Sequence, residues 1–421
     1  MKAVHLFTSP SKKPFPAVIL FCLPLFFLLL ADNIMSYIFP IAVESATNSN
    51  TLLGIIMALS SVVGIICDFT FPQIFKQKTW RFMLIIAILL AIFFPISTYL
   101  GSSAKYVNLF IIGTIIWGIY YEFLSFSQQS FIISEDSSGE YTKDWGIIYA
   151  IGQITAILGP IIGSFLLGID LLVSNFSINF IQVLSLILAA FVIWQLPYRP
   201  LISEQIEIKS LFTVRKEVNY WRILSFKIWP LILTNILVIS VTATYWTLGG
   251  LLGQELVGKY NLDWLVMVLY FAPLVLGSLI LVKVPVMNGK KRLSNISLLI
   301  GGIILSSIFF FQTMQIAVFI VIVLSSFALS FAGPLNEAVY SDLLDRMGKS
   351  RLHLIGLSKA TVSVAFIIAP LATGILADKI GYYATFSFLG IIVAIIALLL
   401  LVLTPKKLKL PQTELKVLDQ I

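Results

Sequence analysis

The stretch from Leu293 to Asn336 reads LSNISLLIGGIILSSIFFFQTMQIAVFIVIVLSSFALSFAGPLN and contains no charged residue. A helix needs about 20 apolar residues to cross a bilayer, so this stretch is long enough for two crossings. The bilayer core has no water to hydrogen-bond backbone N–H and C=O groups. A stretch that crosses it must therefore pair these groups within itself, as a helix does. We expect the chain to turn between the two crossings near Gln312 to Gln315.

The rest of the chain has the same apolar character. Hydrophobic residues make up 59% of the 421 residues and charged residues 11%, with a mean hydropathy of +0.99. Soluble domains are about a quarter charged, so this composition excludes a soluble enzyme. The net charge of +8 does not indicate a nucleic-acid partner, because the basic residues form short clusters between apolar runs. The lipid bilayer is therefore the first expected partner.

Twelve apolar windows predict an all-α integral membrane fold of twelve transmembrane helices in two six-helix repeats. The windows are about 15–42, 52–75, 81–101, 106–127, 145–168, 174–196, 226–252, 262–284, 294–311, 315–341, 355–377 and 380–404. They predict an N-terminal bundle over 1–197, a cytoplasmic linker over 198–225, a C-terminal bundle over 226–405 and a cytoplasmic tail over 406–421. In the linker we expect an amphipathic interfacial helix through Ile206, Leu211, Phe212 and Val214.

Basic residues set the predicted orientation. Of the 28 Lys and Arg residues, only Lys105, Lys259 and Lys379 fall on one side of this arrangement. Because Lys and Arg concentrate in cytoplasmic loops, the N- and C-termini are predicted to be cytoplasmic. We expect a multi-pass protein of the cell (plasma) membrane.

The two sets of six helices show an internal repeat. At an offset of 210 residues, Gly159-Pro160 aligns with Ala369-Pro370. At an offset of 215, Gly118 to Glu122 aligns with Gly333 to Glu337, which predicts that the two glutamates lie at equal depth. Repeats of this kind are common in secondary transporters.

With these motifs the chain resembles the major facilitator superfamily over essentially its whole length. Gly159-Pro160 and Gly163 are similar to that family's Gly-Pro motif on helix 5, and Gly64 to Asp68 is similar to its loop motif, although the second glycine is missing. Ile115 stands where many proton-driven exporters have arginine, so an arginine relay is not implied. The resemblance implies two bundles around a central cavity lined by helices 1, 4, 7 and 10.

Acids inside apolar spans are expensive, at about 2.5 to 3.5 kcal/mol on insertion scales, and so indicate function. We predict proton coupling for Asp32, Glu122 and Glu337, with the two glutamates facing each other across the cavity. Two alternatives remain open. In the first, Asp32 is an interfacial acid hydrogen-bonded to a neighbour. In the second, the two glutamates are structural anchors that cap a helix N-terminus.

A gate is predicted from Asp68, which lies next to Lys76 and Lys78 in the loop motif. Other residues are assigned to the gate because they shape the backbone, since glycine permits close helix approach and proline bends a span. They are Gly64, Gly159, Pro160 and Pro370.

The solute is expected to meet polar and aromatic residues of the cavity helices. Aromatic belts and lipid-facing packing are the alternative interpretation of such residues. The candidates are Asn33, Tyr37, Trp117, Tyr121, Asn235, Thr242, Tyr245 and Trp246.

Other chemistry is not indicated. Gly348 to Ser350 lacks the first glycine of a nucleotide-binding loop, because position 343 is leucine. His5 and His353 are too few for a metal or catalytic centre, so no cofactor is expected. We predict a monomeric, non-enzymatic secondary transporter of a small organic solute, proton-coupled and exporting amphipathic compounds as an antiporter. Uptake of a sugar or other small metabolite, and a sensor or lipid scramblase of the same fold, are the alternatives.

Overall fold

The computed structural model describes residues 17–74, 79–135, 141–196, 214–258, 262–283, 286, 288–347 and 351–405, and this part of the chain is helical without strands. A π-helical turn, Tyr245–Gly249, joins α7 to α8, and a 3-10 turn, Ser307–Phe311, extends α10. The α-helices are α1 (Ala17–Thr47), α2 (Asn50–Ile74), α3 (Trp80–Ala104), α4 (Val107–Glu135), α5 (Tyr141–Ile169), α6 (Leu171–Gln195), α7 (Val214–Thr244), α8 (Gly250–Val257), α9 (Leu265–Lys283), α10 (Lys290–Ser306), α11 (Gln315–Leu329), α12 (Ala332–Met347) and α13 (Arg351–Leu403).

The predicted all-α membrane fold is confirmed. Ten of the described helices are long and apolar enough to cross a membrane, and Leu265–Leu281 is a shorter apolar helix. The span Gly356–Leu403 is 48 residues long, and Gly381, with a φ of 77°, interrupts it. Glycine adopts a backbone with positive φ without a Cβ penalty, so the helix is interrupted there. The count of twelve crossings stays a prediction.

The turn expected in the uncharged stretch is present, since the 3-10 turn ends at Phe311 and α11 begins at Gln315. The second crossing is also present, as the apolar span Gln315–Tyr340, and a short turn at 330–331 divides it into α11 and α12. Pro334 lies in the first turn of α12. Proline is tolerated there because the first N–H groups of a helix have no partner within it.

In the predicted 198–225 linker, the described residues from Val214 onward are helical, and the non-helical backbone of Ile228 separates them from the rest of α7. The linker and its interfacial helix stay a prediction. Ile206, Leu211 and Phe212 lie outside the described residues.

Each half of the chain closes on itself with the same contact. Arg81, at the start of α3, donates to the carbonyl of Leu196 just past α6 at 3.0 Å. Lys291, at the start of α10, donates to the carbonyl of Pro405 just past α13 at 2.6 Å. Cations stabilise the carbonyl ends of helices. We call these two contacts the clasps, and their residues are 210 and 209 positions apart.

The helix bounds correct one part of the predicted repeat. The starts of α3 and α10 are 210 residues apart, and those of α4 and α11 are 208 residues apart. The offset of 215 that paired Glu122 with Glu337 is therefore too large by about five residues. Glu122 corresponds to a position near Ala332, and Glu337 lies about one helical turn further along. The two glutamates do not lie at equal depth in the repeat.

Candidate transport site

A cavity of about 210 Å³ lies between the two halves of the chain. It is formed by α1, α2 and α4 from the first half and by the π-helical turn and α13 from the second. We call it the central cavity. Its lining residues are Asp32, Asn33, Ser36, Met57, Ser60, Ser61, Gly64, Trp117, Gly118, Tyr121, Glu122, Trp246, Val362, Ser363, Phe366 and Pro370.

Asp32 is the acid of α1 in this cavity, and it is 8% exposed. The indole N–H of Trp117 donates to Asp32 Oδ1 at 3.0 Å, and the hydroxyl of Tyr120 donates to the same oxygen. The Trp117 ring is stacked on Phe94, with centroids 4.9 Å apart. The carboxyl group is therefore held by two neutral donors whose rings are fixed by packing.

Glu122 is the acid of α4 in the central cavity, and its partner is Asp68 of α2. The two carboxyl groups lie close enough to interact directly. Because an ionised carboxylate can only accept, a hydrogen bond between them requires a proton on one of the two acids. A Cβ at Gly64 would lie 3.1 Å from Glu122 Oε1, so glycine leaves space for this carboxyl group.

Lys359 completes this cluster from the other half of the chain. Its charge faces both Asp68 and Glu122, and its Nζ donates to Ser125 Oγ at 3.1 Å. Sequence reasoning counted Lys359 only as a basic residue near a loop. The sequence did contain a signal for Lys359, because a lysine within the apolar window 355–377 carries the same insertion cost as the acids.

Glu337 has a different place. Its side chain is exposed on α12, and it is not among the lining residues of the central cavity. The expected pairing of Glu122 with Glu337 is therefore replaced by the pairing of Glu122 with Asp68. A role of Glu337 in proton coupling stays a prediction.

Four of the eight predicted solute contacts line the central cavity, namely Asn33, Trp117, Tyr121 and Trp246. Asn33 also donates to Thr155 Oγ1 at 2.9 Å, which fixes α1 on α5. The contribution of all eight to solute binding stays a prediction.

The other four are placed elsewhere. Tyr37 is buried beside Gly163 and Gly250, where a Cβ would lie 2.9 and 3.1 Å from its ring. Asn235 donates to Thr361 Oγ1 at 2.8 Å, a contact within the second half. Tyr245 is stacked on Tyr270 at 3.8 Å, and Thr242 is bonded to the Tyr270 hydroxyl at 2.8 Å.

A second cavity, of about 180 Å³, is lined by residues that include Thr242 and Ser278. These two follow Asp32 and Asp68 by 210 residues each, which is the offset of the repeat. Thr242 and Ser278 therefore occupy repeat positions equivalent to those of Asp32 and Asp68, with hydroxyl groups in place of carboxyl groups. At these equivalent positions the two halves differ in the charge of their side chains.

The halves meet closely at the end of the cavity that charge distribution predicts to be extracellular. A Cβ at Gly54 of α2 would lie 2.1 Å from the carbonyl oxygen of Pro370. A Cβ at Gly374 would lie 2.2 Å from the carbonyl oxygen of Asn50. These backbones touch, so no side chain fits between them. Gly54 and Gly374 therefore allow α2 and α13 to close this end.

Polar contacts reinforce the closed end. Asp378 of α13 accepts the backbone N–H groups of Asn50 and Thr51, both at 2.7 Å. A second contact is made by the Ser164 hydroxyl of α5, which donates to the buried Asp263 just before α9. Each contact joins one half of the chain to the other.

The predicted gate residues fall into two groups. Gly64 and Asp68 surround the Glu122 carboxyl group, and Pro370 belongs to the closed end. Gly159 packs on α1, where a Cβ would lie 2.6 Å from Asn33, and Pro160 is buried next to it. A gating role for these residues stays a prediction.

Comparisons with known proteins agree with this architecture. Residues 236–418 match the sequence model of the family described as Major Facilitator Superfamily. No curated protein sequence matches the chain. The resemblance expected from the motifs is confirmed by this match together with the fold.

Three solved structures illustrate the fold. The crystal structure of nucleoside transporter NupG has a TM-score of 0.69 at 13% identity, covering 92% of this chain and 98% of that chain. The D-xylose-proton symporter has a TM-score of 0.68 at 16% identity, covering 93% and 99%. A bacterial homolog to the human lysosomal transporter Spinster, in an inward-facing and unoccupied conformation, has a TM-score of 0.69 at 11% identity, covering 93% and 97%.

The class follows from the fold and the family match. The chain has the fold of multi-pass membrane proteins that act as secondary transporters rather than as enzymes, and its residues 236–418 match the Major Facilitator Superfamily model.

Proposed function

We propose that this chain is a proton-coupled secondary transporter of the plasma membrane that exports a small amphipathic organic solute by alternating access. The observation that carries the proposal is the cluster of Asp68, Glu122 and Lys359. The two acids lie against each other, where a hydrogen bond between them requires a proton on one of them, and a lysine of the opposite half faces them both. A proton site that spans both halves ties proton loss to their relative movement.

The state of the cavity supports alternating access. The halves are in backbone contact at the end that is predicted to be extracellular, where Asp378 caps α2. Opening that end requires these contacts to break and the cluster of Asp68, Glu122 and Lys359 to rearrange. Exchange of a proton for a solute then follows if each occupies the cavity in turn.

Uptake of a sugar or another small metabolite is the second candidate. It is favoured by the likeness to a protein described as a D-xylose-proton symporter. The two candidates differ in the direction of the proton, because an antiporter moves it against the solute and a symporter moves it with the solute.

The test uses the purified chain in sealed proteoliposomes that contain a pH-sensitive dye. A panel of amphipathic compounds and sugars is added outside. Acidification of the lumen by efflux of a preloaded compound supports antiport, and acidification on addition of an outside compound supports symport. Compounds that move without any pH change overturn the coupling and leave the carrier. A complete absence of flux overturns transport.

Glu122→Gln and Glu337→Gln make a matched pair in this assay. We expect Glu122→Gln to abolish proton movement, because it removes an acid of the pair. Full proton movement in Glu122→Gln would remove the pair from the coupling. The result for Glu337→Gln decides whether the more distant glutamate takes part.

A further inference from the structure

We infer that the solute is an amphipathic organic cation and that Asp32 receives its positive charge in the central cavity. This inference rests on the proposed transport function and adds the charge of the solute to it. It is carried by the distribution of charged, hydrogen-bonding and aromatic groups around the cavity.

The charge balance of the cavity favours a cation. Among the described lining residues, Asp32 and Glu122 are acids, and no lysine, arginine or histidine is present. Glu122 already has Asp68 as a close partner and Lys359 as a counter-charge. Both hydrogen-bond donors of Asp32, by contrast, are neutral. Asp32 is therefore the acid of the cavity that lacks a cationic partner within the described part of the chain.

The geometry of Asp32 leaves one oxygen for a ligand. Trp117 and Tyr120 both donate to Oδ1, and neither reaches Oδ2. Among the described residues, no hydrogen bond occupies Oδ2. A carboxyl group held through one oxygen is oriented before a ligand arrives, which lowers the entropic cost of binding.

Aromatic rings line the cavity that contains this oxygen. Trp117, Tyr121, Trp246 and Phe366 line the same cavity as Asp32. The faces of tryptophan and tyrosine attract cations, and such rings are used to recognise quaternary ammonium groups. Phe366 and Met57 give the apolar part of an amphipathic cation a surface to contact. A carboxylate within an aromatic wall thus fits a substituted ammonium compound better than a sugar, which needs many polar partners.

The second cavity provides an internal comparison. It has Thr242 at the position equivalent to Asp32 and Ser278 at the position equivalent to Asp68. At these two repeat positions the first half has carboxyl groups and the second half has hydroxyl groups.

The experiment measures binding to the purified full chain in detergent, with tritiated benzyltrimethylammonium as the probe. Two competitors have a similar shape and a different charge: the neutral compound in which carbon replaces nitrogen, and benzenesulfonate. We expect saturable binding of the cation and competition at least about 10-fold weaker by either competitor. Equal competition by the neutral or the anionic compound overturns the inference, and so does an absence of saturable cation binding.

Variants locate the charge. Asp32→Asn should weaken cation binding at least about 10-fold, whereas Asp32→Glu should retain most of it. Trp246→Leu should weaken binding about 3- to 10-fold through loss of the ring face. Asp342→Asn is the control, because Asp342 is bonded to Lys290 far from the lining residues and should leave binding unchanged. Wild-type affinity in a folded Asp32→Asn protein, with an unchanged melting temperature, overturns the role of Asp32. If Asp32→Asn does not fold, unchanged cation binding by Trp246→Leu overturns binding in the central cavity.

The outcomes separate this inference from the proposed function. Cation binding without proton movement in proteoliposomes supports the inference and overturns the coupling. Proton-coupled movement of neutral or anionic compounds alone overturns the inference and supports the coupling.

Discussion

Asp378, in the second half of the chain, accepts the backbone N–H of Asn50, in the first half, at 2.7 Å. Its other oxygen accepts the N–H of Thr51, also at 2.7 Å, and the Ser49 hydroxyl at 3.2 Å. The first N–H groups of a helix lack partners within that helix. A carboxylate from one bundle therefore caps a helix of the other, and the cap exists only while this end of the cavity is closed.

We predict that Asp378→Ala opens the end of the cavity that is predicted to be extracellular. Hydrogen bonds to a charged group contribute about 1.5 to 3 kcal/mol each, so loss of the cap should raise the open population at least about 10-fold. The measurement is the rate at which an impermeant maleimide labels Ser60→Cys from outside, in a background of Cys22→Ala and Cys67→Ala. Lys379→Ala is the adjacent exposed control. Equal labelling rates in both variants would contradict the prediction.

A second prediction concerns the close contact of α2 with α13. Gly54→Ala places a Cβ 2.1 Å from a backbone oxygen, so the halves cannot close in their present arrangement. We expect solute flux to fall at least about 10-fold, with more labelling from outside at Ser60→Cys. Gly152→Ala is the matched control, because nothing lies within 4 Å of a Cβ there. Normal flux through Gly54→Ala would show that the contact is not required.

A third prediction tests the ion cluster by a double-mutant cycle. Removing one partner of a buried charge pair costs about 3 to 5 kcal/mol, so Lys359→Met should lower the melting temperature. Lys359→Arg, which keeps the charge, should lower it less. Glu122→Gln should restore part of the loss in Lys359→Met, with a coupling energy of about 0.5 to 3 kcal/mol. Additive effects of the two substitutions would mean that the lysine and the glutamate do not interact.

A fourth prediction concerns the clasps. Arg81→Gln and Lys291→Gln should each lower the free energy of unfolding by about 1 kcal/mol, since each loses a hydrogen bond from a charged donor. The clasps belong to different bundles, so their effects should add. Thermal unfolding of both single variants and the double variant checks this. A double variant that loses much more than the two single variants together would show that the clasps are coupled.

Part of this structure could be predicted from the sequence because the bilayer imposes strict rules. The turn between Gln312 and Gln315 followed from span length, and Asp32 was singled out by the cost of an acid in a span. Both arguments are local. They use only the distance along a helix and the chemistry of one side chain.

The partners of these residues could not be predicted in the same way. Glu122 was paired with Glu337 because five aligned residues gave an offset of 215, and an ungapped match within one helix does not fix depth. Its partner Asp68 lies on another helix, and Lys359 belongs to the other half of the chain. Which helix faces which is decided by tertiary packing, such as the approach of Gly54 to Pro370. A charge pattern read along the chain carries no such information.

The clasps also bear on how the two bundles move. The first joins residues 115 positions apart and the second joins residues 114 positions apart, so the two bundles have nearly the same internal spacing. One clasp uses arginine and the other lysine, so each bundle is held by a cation at an equivalent place. Because each clasp joins residues of one bundle only, the bundles can shift against each other as intact units while both clasps stay closed.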